Sequence, residues 1–161
     1  MKNELEVILK DSGIRIDWRN HADLVASESF ANLVVARFRG KCRVEPAAWL
    51  IDERGPLGST YTSDGSMLSF SEIECDKVRS SLRGSMWGGD YSRSDRLFGR
   101  ALARVLAHEL YHMLTGSQSH ADSGVARRAL SGSDLLSDRL LLTRAELDRM
   151  HSAVVGPAAG H

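Results

Sequence analysis

The stretch His108-Glu109-Leu110-Tyr111-His112 constrains this chain more than any other. Histidines at positions i and i+4 lie about one helical turn apart, so on a helix both imidazoles share a face and can reach one metal ion. Glu109 lies about 100° around the helix from His108, poorly placed to ligate but well placed to hydrogen-bond a water held by that ion. Neutral imidazole suits zinc, and an adjacent carboxylate can take the proton from the water. The flanking sequence supplies the helix. From Leu97 to Leu114 there is no Pro, and Gly99 is the one Gly. Leu102, Leu106, Leu110, Met113 and Leu114 recur at three- and four-residue steps and form an apolar stripe. His108, Glu109 and His112 fall off that stripe. The pattern predicts a buried helix that offers a polar triplet to a cleft.

A catalytic zinc uses three protein ligands plus water, so two histidines leave one place open. Gly116 stands where a helix-ending glycine belongs. The chain then turns through Ser117-Gln118-Ser119 to His120, the expected third ligand. Asp122 is the local alternative and Glu146 the distant one. Glu146 has a competing structural role, because Thr143-Arg144-Ala145-Glu146 reads as a capping box opening a helix over residues 144–154.

HELYHMLTGSQSH resembles the extended zinc signature of the metzincin clan of metallopeptidases, HExxHxxGxxH. The pattern here is HExxHxxxGxxxH, with Gly116 one residue late and His120 two. That clan also places a methionine turn beneath the metal, and no Met occurs here between His120 and Met150. Met150 lies in the apolar pattern of residues 144–154 and reads as core. The resemblance implies a zincin-like α+β fold: a mixed twisted sheet with helices, a central zinc-binding helix, and a small irregular C-terminal subdomain ending in a helix. It implies one catalytic domain over residues 1–161, with an upper part to about 116 and a lower part from about 117. The implied activity is a zinc-dependent endopeptidase acting on peptide or protein substrates. His108, His112 and His120 would hold Zn²⁺, and Glu109 would activate a water at the metal. In the clan an edge strand before the zinc helix binds extended peptide by strand addition. Gly58, Ser59, Thr60 and Tyr61 match it in position. Residues 121–142 would wall the pocket for the substrate residue after the cleaved bond. The alternatives are a zinc hydrolase of a non-peptide amide or ester, or a binding module without catalysis. Tyr111 is a candidate oxyanion donor, with packing the stronger reading.

Residues 2–12 read as an amphipathic helix with Leu5, Ile8 and Leu9 inward, stopped by Gly13. Residues 14–18 alternate as a strand, residues 21–29 suit helix or loop, and residues 33–38 and 48–52 read as strands. Residues 57–62 and 67–73 flank a Ser63-Asp64-Gly65-Ser66 turn and predict a hairpin. A helix is expected over 76–83, then a Gly-, Ser- and Arg-rich connection over 83–96. Ser92 or Ser94 would cap the zinc helix, with Asp95 near its positive end. Residues 125–130 are weakly apolar, and 134–136 begin a short helical turn.

At 161 residues the chain is long enough for one domain with a proper core. Its formal net charge is zero, which leaves no basic field for nucleic acid or an anionic membrane. No apolar run approaches the roughly 20 residues of a membrane helix. Cys42 and Cys75 lie near the ends of predicted strands. A disulfide between them, the favoured reading, suits a secreted or periplasmic protein, and two free thiols would suit a cytoplasmic one. No signal-peptide pattern is seen. The small-residue tail from Gly156 is expected to fray.

Overall fold

The computed structural model describes residues 1–43 and 55–156. Among them the chain forms five α-helices and a three-stranded mixed sheet, an α+β arrangement. The strand expected over residues 48–52 and the tail beyond Gly156 lie outside the described residues.

Helix α1, Lys2–Leu9, buries Leu5, Ile8 and Leu9 as its spacing predicts. It tightens into a 3-10 turn, Lys10–Ser12, and ends at Gly13 with φ 72°. That left-handed conformation is one glycine adopts without the steric penalty of a Cβ. Residues 14–18 depart from expectation. Their side chains alternate, with Ile14, Ile16 and Trp18 packed on the core and Arg15 and Asp17 exposed, but they join no sheet. The period-2 signal is genuine because an extended segment laid over a core also turns alternate side chains inward. A ladder requires a neighbouring strand, and none of the described strands flanks it. A single 3-10 turn, His21–Asp23, then follows.

Strand β1, Val35–Arg39, pairs parallel with β3, Ser66–Glu74, and β2, Gly58–Ser63, pairs antiparallel with β3. The order β1-β3-β2 leaves β2 at an edge among the described strands. The β2–β3 turn has Asp64 at φ 50° and Gly65 at φ 79°. Two successive positive φ values are what a tight hairpin with right-handed strand twist requires.

Helix α2, Cys75–Arg83, follows β3 directly. A 3-10 turn, Gly88–Arg93, runs into the long helix α3, Ser94–Thr115. The cap residue of α3 is Arg93, with no side-chain capping bond, so the expected serine cap is not formed. The chain already arrives helically, which leaves little room for an extended cap residue. Asp95 does sit in the first turn. Burial on α3 extends well beyond the predicted stripe. Ala101, Ala103, Val105 and Ala107 are buried along with Leu102, Leu106 and Leu110, and the helix packs against α1, α2, α5, β2 and β3. Small residues on those extra faces let the sheet and helices approach closely. The short helix α4, Gly132–Leu136, also packs on α3, and both it and α5, Arg144–Val155, start with a complete capping box. In the second box Thr143 N–H donates to Glu146 Oε2 at 2.6 Å.

Arg104 and Arg100 tie these pieces together. Arg104 pairs with Glu4 of α1 and donates to the carbonyls of Asp134 and Leu135 at the end of α4. Arg100 donates to the next two, Leu136 and Ser137. Cys42 and Cys75 form a disulfide that joins the chain after β1 to the start of α2. None of the described helices is long and apolar enough to cross a membrane.

Candidate metal centre

Helix α3 carries His108, Glu109 and His112 in its last two turns. Gly116 then takes φ 62° and terminates it. The turn beyond is local: Ser119 N–H donates to Ser117 Oγ, and Ser117 O accepts from His112 Nδ1 at 2.6 Å. The extra residues around Gly116 are absorbed in this turn, and His120 returns to the helix. Its ring centroid lies 5.3 Å from that of His108 and 4.8 Å from that of His112.

One nitrogen from each of His108, His112 and His120 lies within 4.8 Å of the others, so together they could hold a metal ion. They are the one such group among the described residues, and neither Asp122 nor Glu146 belongs to it. Glu146 is fully buried in α5, with Oε2 committed to its capping box and Oε1 without a partner. Met150 is buried on the same helix, away from any turn.

Backbone carbonyls fix the ring orientations. His108 Nδ1 faces Val125 O at 2.9 Å, and His112 Nδ1 faces Ser117 O. A carbonyl oxygen only accepts, so each Nδ1 carries a proton, and in a neutral ring the Nε2 then presents a lone pair. These two Nε2 atoms stand 3.1 Å apart. Burial, with His112 and His120 close by, pushes His108 down to about 4, so its ring is neutral at pH 7. Burial also lowers His120, helped by His112 and by Arg128 nearby. Exposure rises from His112 through His108 to His120, so the cluster opens toward solvent on the His120 side.

Glu109 is 4% exposed. Burial raises its carboxyl above the ordinary range, while hydrogen bonds from Thr60 act in the opposite direction. Thr60 Oγ1 donates to Glu109 Oε2 at 2.6 Å, joining the edge strand β2 to the helix. Of the four residues matched to a substrate strand, Gly58 and Thr60 face α3, while Tyr61 turns away and donates to Glu72 Oε2 at 2.6 Å. Tyr111 is buried beneath the guanidinium of Arg149, an environment of packing. The contribution of Val125 and Ser117 has no sequence signal, because any residue type supplies a carbonyl. The Thr60 hydroxyl joins residues 49 positions apart, beyond the reach of local patterns.

No family model, curated protein or solved structure matches this chain.

Proposed function

We propose that this chain is a zinc-dependent peptidase of the zincin type, with His108, His112 and His120 as ligands and Glu109 as general base. The observation that carries this reading is the convergence of three imidazole nitrogens, two of them 3.1 Å apart, beside a buried carboxylate. Between two neutral rings that each carry their proton on Nδ1, such a contact is relieved by a proton or a metal ion between the nitrogens. With metal–nitrogen bonds of about 2.0–2.1 Å in a tetrahedral arrangement, two ligand nitrogens stand about 3.3 Å apart, close to the separation found. The donor set supports zinc: three imidazoles, two of them oriented through Nδ1–H by backbone carbonyls, with one position left for water.

Zinc, when bound, supplies Lewis acidity, lowering the pKa of a water to about 7 and polarising a carbonyl. Glu109 accepts the proton of the attacking water and passes it to the leaving nitrogen. Its burial favours the protonated form and so eases the first of these transfers, from the water to the carboxylate. The edge of β2, unpaired among the described strands, lies beside the base and offers backbone groups to an extended peptide whatever its sequence. The exposed position of His120 leaves the approach open, which suits a polymeric substrate. The disulfide supports an exported protein.

The test is Glu109→Gln in zinc-loaded protein. The variant should retain its metal and lose cleavage of a mixed peptide library by at least roughly a hundredfold. Undiminished cleavage with zinc in place would remove Glu109 from the mechanism.

A further inference from the structure

We infer that Thr60 is the positioning residue for Glu109, acting through its hydroxyl, with Gly58 providing the space; this rests on the peptidase reading. Glu109 ends in a flexible side chain and is almost wholly buried. A buried carboxylate is tolerated where donors or a cation satisfy it. Among the described residues no Lys or Arg pairs with it, and the side-chain donor it has is Thr60 Oγ1, at 2.6 Å from Oε2. The backbone N–H of Thr60 adds a smaller contribution.

Strand alternation explains why this falls on β2. Residues two apart share a face. Gly58 and Thr60 therefore look together at α3. A Cβ on Gly58 would stand 2.7 Å from Glu109 Oε1 and 3.0 Å from Cγ. The absence of a side chain at 58 leaves Oε1 room, while the hydroxyl at 60 holds Oε2. One oxygen is fixed and the other stays available to a water. Thr60 is itself restrained, because β-branching limits its rotamers. The strand is anchored from its far side by Tyr61, whose hydroxyl bonds Glu72, and Glu72 is gripped by Arg37 and Arg39 of β1. These contacts tie the strand that carries Thr60 to β3 and β1.

The experiment compares zinc-loaded parent, Thr60→Val and Thr60→Ser for zinc content, peptide hydrolysis and affinity for acetohydroxamate. That probe chelates zinc and gives its hydroxyl proton to a carboxylate beside the metal. Valine keeps the shape and removes the donor. Thr60→Val should keep its zinc and its KM while kcat falls roughly ten- to a hundredfold, the scale of a misplaced catalytic group. Acetohydroxamate should bind it more weakly, and Thr60→Ser should restore both properties. Thr60→Ala replaces the valine variant if that one fails to fold. Unchanged kcat in the hydroxyl-less variant, loss of its zinc, or a serine variant as impaired as valine would each overturn the assignment. If the parent and Glu109→Gln are equally inert toward peptides, the peptidase reading fails. The acetohydroxamate titration then decides alone, with equal affinities in all three proteins overturning the role of Thr60.

Discussion

His108 and His112 turn their Nε2 atoms toward each other across 3.1 Å, while the Nδ1 of each is held by a backbone carbonyl. Neither ring can rotate to relieve the contact without abandoning its backbone carbonyl. Protonating His108 would charge a ring that burial keeps neutral. With His120 beside them, the three rings could together hold a metal ion.

Purified protein should therefore carry close to one equivalent of zinc by elemental analysis. His112→Ala should abolish retention, and His120→Ala should weaken it by a factor of ten or more, about 1.4 kcal/mol or greater. Glu146→Gln should keep the metal, because its carboxylate belongs to the cap of α5. Full zinc in His120→Ala together with its loss in Glu146→Gln would reverse the ligand assignment.

What sequence could reveal here divides along the range of the signals. Gly13, Gly116, the Asp64-Gly65 turn and the Thr143–Glu146 box act within a few residues, and each stands where its chemistry predicts. The histidine spacing is likewise local, and it brings three rings together. Strand order is not local: β1 lies beside β3, with β2 on the far side. Residues 14–18 show how an alternating pattern reports one buried side and stays silent on whether a partner strand exists. The Thr60 hydroxyl bond depends on that same non-local pairing, so a plain Gly-Ser-Thr-Tyr segment conceals it.

Gly58 should not tolerate alanine. The added carbon would also meet Val105 Cγ1 at 3.0 Å, so relief must come from Glu109, the movable neighbour. Gly58→Ala should lower kcat by about tenfold or more with zinc retained. Crowding of this kind should also reduce stability by about 1–3 kcal/mol. Parent-like kcat would show that the carboxylate has room to spare.

The metal-free protein should weaken as pH falls. His108 titrates near 4 in the folded chain, against about 6.5 when unfolded. Between those values the unfolded chain binds a proton that the folded chain does not, so stability rises with pH. The penalty is absent above the unfolded value and complete below the folded one, reaching at most about 3 kcal/mol. Urea unfolding of chelator-treated protein at pH 7 and pH 5 measures it. His108→Asn should flatten the difference, and an equally steep dependence in that variant would assign the effect to other groups.

The disulfide should contribute stability without shaping the metal centre. Cys42 and Cys75 are 33 residues apart in sequence, and cross-linking a loop of that size removes chain entropy worth about 3–4 kcal/mol from the unfolded state. The junction has further ties of its own. Asp76 accepts from Lys41 N–H, and Arg79 donates to Lys41 O while pairing with Asp76. With these in place, reduction should leave the native arrangement standing and make unfolding easier. A Cys42→Ser, Cys75→Ser double variant should lose about 3 kcal/mol in urea unfolding and still bind zinc under native conditions. An unchanged urea midpoint would mean that the Asp76–Arg79 ties already hold the junction in the unfolded ensemble. Loss of zinc at equal folding would mean that the junction governs the position of α3.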